Sequence, residues 1–172
     1  VANSYDYGSI AYNAKNIFID NERSKIDIID GFVFYEDTLM AYIGTCNGEL
    51  VLPENYNGKD YVLAPRFILG KNNESWVMFG EEFAPWSYSM YHNTLSVTSV
   101  VIPSCIQSIP SLAFAGNCNI TEITFTNSLM YFDMDCFAEN NIKTVNFKGT
   151  EQEYYNGMYL SIFKNAIVNF ID

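Results

Sequence analysis

The sequence predicts a repeat solenoid, β-rich with short helical turns, whose parallel strands stack at a period of about 22–23 residues. Three observations carry that expectation. The triplets Val97/Val100/Ile102, Ile120/Ile123/Phe125 and Ile142/Val145/Phe147 share the spacing apolar-x-x-apolar-x-apolar and start 23 and 22 residues apart. Behind the first two, Ile106, Ile109, Ala113 and Phe114 recur as Leu129, Phe132, Cys136 and Phe137. Hydrophobic residues make up 49% of the 172, with 13 Tyr and 13 Phe, enough to fill a core without disulfide or metal staples.

The alternating pair in each triplet, such as Val100 and Ile102, is the period-two mark of a short strand with one buried face. A unit this small cannot bury its apolar edge alone, so neighbours stack and share one core. Stacking constrains size and polarity at the inward positions rather than identity. Consecutive units therefore keep the pattern while losing the letters. Each reads as a strand, a second extended stretch, and a compact turn anchored by a Phe.

Taken in order, "NIFID" and "GFVFYEDTLMAYIG" read as strands joined by polar turns, Asn21-Glu22-Arg23-Ser24 and Glu36-Asp37-Thr38. Residues 1–48 form an N-terminal strand region or cap. The first clear unit is 49–70, where Leu50, Leu52 and Pro53 match Val100, Ile102 and Pro103, and Phe67 matches Phe114. Inside it, Asn57-Gly58 supplies the left-handed backbone of a tight turn and lengthens the unit by three residues. Residues 71–96 break the rhythm and read as an insertion holding Trp76, Trp86 and the lone His92. Repeats resume over 97–172. There Thr150 and Glu153 form a capping box that predicts a helix of one or two turns from Glu151. Val168, Asn169 and Phe170 echo Val145, Asn146 and Phe147 and predict a closing strand. The whole chain is expected to be one domain, residues 1–172.

Charge narrows the function classes. The net charge is −11, and no Lys or Arg lies between Lys71 and Lys143, while seven acidic residues do. Nucleic-acid binding needs cations to displace phosphate counterions, so that class is excluded, as is docking to anionic lipid. No run approaches the ~18 apolar residues of a membrane span. The chain opens at Val1 with no charged-then-apolar leader, which we read as a trimmed or mature fragment.

Catalytic constellations are thin. His92 stands without a GxSxG or Cys-His partner pattern, and a structural histidine is the favoured reading. Cys46, Cys105, Cys118 and Cys136 show no CxxC or zinc spacing and are expected to be free, inert thiols, Cys136 a small core residue. Glu81 and Glu82 beside the tryptophans are the best glycosidase argument, but adjacent side chains point apart and a solvated acidic turn is favoured. Asp133 and Asp135 are too few for a calcium site and read as exposed turn residues.

A recognition surface is better supported. Between the inward positions of the leading strands lie Ser99 and Val101, Glu122 and Thr124, and Thr144 and Asn146. Stacking places these side by side on one sheet, the extended patch that solenoids use for binding, although the same residues also suit a plain polar face. Trp76 and Trp86 are the second candidate anchor, against a reading in which they pack on the flank of the solenoid.

At these residues the chain resembles the BspA-like leucine-rich repeat family. "VTSVVIPSCIQSIPSLAFAGNC" carries its strand, "IP", "V-x-x-I" and "AF-x-x-C" grammar in Ile102-Pro103, Ile106, Ile109, Ala113-Phe114 and Cys118. "FKGTEQEYYN" and "GTCNGELVLPENYNGKDY" are similar to its array-end and opening segments. The next unit departs from the pattern, with Thr126 and Cys136 in place of Pro and Ala. No Asn ladder follows the strands, unlike better-known leucine-rich repeats. The resemblance spans Phe32 to Asp172 and implies a right-handed leucine-rich-repeat superhelix. It further implies a non-enzymatic, bacterial or protist, secreted or cell-surface module for adhesion and protein binding. The implied partner is a host or matrix protein or a surface glycan; no cofactor, no membrane insertion and a monomer are expected. The alternative is a structural spacer presenting other domains, and a carbohydrate-active enzyme comes third.

Overall fold

The computed structural model describes residues 9–13, 16–19, 26–69, 75–79, 82–85, 96–116, 119–127, 131–133, 135–157 and 159–171. The strands run β1 (Ser9–Asn13), β2 (Asn16–Ile19), β3 (Ile26–Ile29), β4 (Phe32–Tyr35), β5 (Thr38–Tyr42), β6 (Asn47–Val51) and β7 (Val62–Leu69). They continue as β8 (Ser75–Phe79), β9 (Glu82–Pro85), β10 (Ser96–Ile102), β11 (Ser108–Ile109), β12 (Glu122–Phe125), β13 (Tyr131–Phe132) and β14 (Thr144–Lys148). After β14 come the helices α1 (Glu151–Asn156) and α2 (Tyr159–Ile162), then β15 (Ile167–Ile171).

The leading strands form one five-stranded parallel sheet in the order β15-β14-β12-β10-β6. Its register is the one the apolar triplets require. Val100 pairs with Ile123, Ile123 with Val145 and Val145 with Val168; one step on, Ile102, Phe125, Phe147 and Phe170 are in line. Leu50 pairs with Val100, which puts the 49–70 unit in the same array, and β6 reaches back to Asn47. The result is a leucine-rich-repeat-type solenoid of about 4 turns with little helix. Val97, Val100, Ile102, Phe125, Val145 and Phe147 have no exposed surface. Burial fades at β15, which has a partner on one side only, and Phe170 is 42% exposed.

The second stretches run parallel as well. β11 pairs with β13, Ile109 opposite Phe132, and the peptide N–H of Phe114 donates to the Cys136 carbonyl. Leu129 lies outside the described residues. The compact turns repeat in backbone conformation as well as in sequence spacing. Leu112 and Asp135 have positive φ, and so do Gly116 and Glu139, 23 residues apart in each case.

At the N-terminal end the chain is more elaborate than the sequence suggested. β3, β4, β5 and β7 form a four-stranded sheet, β5 and β7 parallel, with the Asp30-Gly31 turn joining β3 to β4. Both turn residues have positive φ, the conformation that Asp-Gly supplies in a two-residue hairpin. The residues assigned to an insertion supply β8 and β9, an antiparallel hairpin whose β8 strand pairs with β1. The expected Asn57-Gly58 turn is present, closed by paired hydrogen bonds between Tyr56 and Lys59. The turn Asn21-Glu22-Arg23-Ser24 lies outside the described residues.

α1 begins at the Thr150/Glu153 box. The Glu153 N–H donates to Thr150 Oγ1, and the Thr150 N–H donates to Glu153 Oε2 at 2.7 Å. The helix carries Tyr154 into an aromatic cluster with Phe147 and Tyr159 that closes the core beneath the last strands.

Candidate functional site

The outward residues of the parallel sheet fall into two cross-strand rows. Ser99 pairs with Glu122 and Glu122 with Thr144; Val101 pairs with Thr124 and Thr124 with Asn146. All six predicted positions are therefore brought together on one face, and all six are half-buried. The rows extend at both ends, to Glu49 and Ile167 in the first and to Val51 and Asn169 in the second. Those four were not singled out in the sequence, although the echo of Asn146 in Asn169 marked one of them.

The face changes character along its length. At the β6 end Val51 is exposed and Val101 half-exposed beside the carboxylate of Glu49. Toward β15 the side chains bond to one another. Asn146 Nδ2 donates to Glu122 Oε1 at 2.6 Å and to Thr124 Oγ1 at 3.1 Å. Asn169 Nδ2 then donates to Asn146 Oδ1 at 2.9 Å. Polar side chains that hold each other have fewer rotamers left to lose, so this end of the face is the more ordered one.

The other predicted positions are less informative. Trp76 lies on β8, in backbone register with Ile10 and Pro85, and Glu82 opens β9. Trp86, Glu81, His92 and Cys118 lie outside the described residues. Asp133 and Asp135 are exposed, and among the described residues no group of three or more potential metal ligands gathers. Cys136 is buried, and burial pushes its thiol up to about 11; Cys105 is raised too, first by burial and then by the charges of Asp60 and Glu54. A thiol held protonated in this way is a poor nucleophile.

A family model for the BspA type leucine-rich repeat region matches residues 80–170 in 6 copies, more than half of the chain. The chain belongs to the BspA-type leucine-rich repeat family. The match starts within the segment that holds Trp86 and does not reach the "GTCNGELVLPENYNGKDY" opener. The sheet does reach it, because β6 pairs with β10 in the repeat register. No curated protein and no solved structure matches the chain. A BspA-type repeat region is a protein-interaction or surface repeat module, and the family is typically non-catalytic. Among the described residues no helix is long and apolar enough to cross a membrane.

Proposed function

We propose that the outer face of the parallel sheet is the recognition surface of a cell-surface or secreted adhesion module that performs no catalysis. The observation that carries this reading is the pair of registered rows, Ser99–Glu122–Thr144 and Val101–Thr124–Asn146. They give a flat array of mixed polar and apolar side chains, continuous across strands, of the kind that repeat proteins offer to protein partners. The partner is a host or matrix protein or a surface glycan. The net charge of −11 favours a partner whose contact surface is basic. The segment holding Trp76 and Trp86 is the second region we assign to contact, supported by its two large aromatic side chains.

The test is a matrix-protein and glycan array probed with the purified chain, followed by charge reversal on the face. Binding that is lost in Glu122→Lys and Thr144→Arg, but kept in a control substitution at the exposed Lys164, supports the reading. Silence across broad panels, or binding indifferent to the face variants, overturns it and favours a spacer that only presents other domains.

A further inference from the structure

The second stretches of the repeat do not join into one continuous sheet. β7 ends the sheet β3-β4-β5-β7 and β11 begins the pair β11-β13; the two strands lie side by side with no backbone ladder between them. The Tyr56–Lys59 turn lengthens this unit, and the chain leaving it brings Asp60 to the surface and turns Tyr61 inward. The Tyr61 hydroxyl donates to the Pro53 carbonyl at 2.8 Å, and Cys105 Sγ reaches the same carbonyl at 3.7 Å. Both side chains are buried and so tie the two units together at the Pro53 carbonyl.

An open cleft of about 310 Å³ is lined by residues of both units. Buried Tyr61, Cys105 and Ile106 line its inner part. Its rim is exposed: Asp37, Asp60 and Val62 on one side, Gln107 and Ser108 on the other. Asp37 is fixed there because its carbonyl accepts the Val62 N–H at 3.0 Å. Its carboxylate accepts one long bond from Thr38 Oγ1, and neither Asp37 nor Asp60 forms an ion pair among the described residues. Lys59, next in sequence to Asp60, is exposed. The negative field reaches the inner wall, since Asp60 and Glu54 raise the Cys105 thiol beyond the effect of burial. Val62 adds an apolar ledge, 52% exposed, beside the two carboxylates.

A concave site with two carboxylates, neutral acceptors opposite them and one apolar ledge matches a long cationic side chain. The charge is met at the rim while the methylene stem covers the apolar surface. We propose that this cleft is a second binding site, taking an arginine or lysine side chain of a protein partner, with Asp37 and Asp60 facing the charge and Val62 the stem. It lies on the second stretches of the repeat and does not depend on the outer sheet face being a contact surface.

The probes are N-acetyl-arginine amide and N-acetyl-lysine amide, with the uncharged N-acetyl-citrulline amide as the isosteric control. Each is titrated into the isotope-labelled chain and followed by amide chemical shifts. The expected result is saturable shifts at Val62, Gln107 and Ser108 with the charged probes only. Affinity should fall about tenfold or more in the Asp37→Asn/Asp60→Asn variant, and also between about 50 and about 500 mM salt. Both aspartates are exposed, so the variant should keep the remaining spectrum. Gln107→Lys is the second variant, which should block the probes by placing its own cation at the rim. The proposal is overturned by an absence of saturable shifts, by an equal response to the citrulline probe, or by shifts centred on Glu49 and Glu122. An equal response to magnesium chloride, marking a counterion site only, overturns it too.

Discussion

Phe114 and Phe137 stack with their ring centroids 5.2 Å apart and their planes 7° from parallel. They occupy equivalent positions in consecutive units, and Phe67 and Phe163 extend the contact on either side at 5.8 and 5.1 Å. One aromatic ring per unit thus makes a column through the core, so stacking energy is shared between neighbours.

Truncating the middle of that column should be costly. Phe114→Ala is expected to lower stability by about 3–5 kcal/mol and Phe114→Leu by about 1.5 kcal/mol. Urea denaturation checks both, with an unchanged slope showing that one cooperative unit still unfolds. A loss below about 1 kcal/mol for the alanine variant would mean the column is not structural.

Thr150→Ala should cost about 1 kcal/mol by removing the acceptor for the Glu153 N–H, while Thr150→Ser keeps most of it. Because α1 delivers Tyr154 to the core, the loss should appear in the global transition and not as local fraying. Amide exchange of Tyr154 separates the two outcomes.

Two turns make opposite predictions from the same backbone rule. Gly58 has φ +75° and open space where a methyl group would stand, so Gly58→Ala should destabilise by about 1 kcal/mol through conformation alone. Asp135 has φ +58° on an exposed turn, and Asp135→Gly should be neutral or stabilise by up to about 1 kcal/mol. Thermal midpoints of the two variants should move in opposite directions or, for Asp135→Gly, stay in place.

Burial raises the Cys136 thiol from 9.0 to about 11. The unfolded chain therefore ionises first, and stability is intact below pH 9.0 and declines as pH rises through about 11. Tyr61 and Tyr154 are raised by burial too and add to the decline at higher pH. Cys136→Ala should reduce the slope above pH 9.0 and leave the share of Cys105 and Cys46, whose thiols burial also raises, measured as denaturant midpoints against pH. In the folded chain a thiol reagent should label Cys46 well before Cys105 or Cys136, which become reactive on unfolding.

The parts legible in the sequence were those set by short-range grammar. Val100, Ile123 and Val145 announced the parallel register because each unit repeats its inward positions at a fixed spacing. The Thr150/Glu153 box and the Asn57-Gly58 turn were visible for the same reason. The pairing of β8 with β1 was not, since it joins segments more than sixty residues apart and no local pattern encodes it. The Asp30-Gly31 hairpin does carry a local signal in "IIDGFVF", an Asp-Gly pair between two apolar runs. The six outward positions were legible as a set. The bonds tying Asn146 to Glu122, Thr124 and Asn169 depend on rotamers, which spacing does not specify.

The parallel sheet also has a mechanical consequence. Tension applied between β6 and β15 acts across the stack and loads one strand pair at a time, beginning at the edge strand β15. Each released unit of 22–23 residues frees roughly 80 Å of chain. Pulled in a force spectrometer, the solenoid should lengthen in near-equal steps as β15, β14 and β12 part in turn. A longer step should follow as β10 leaves β6, since Leu50 and Val100 are 50 residues apart. A repeat module built this way would yield under shear while the remaining units stay folded.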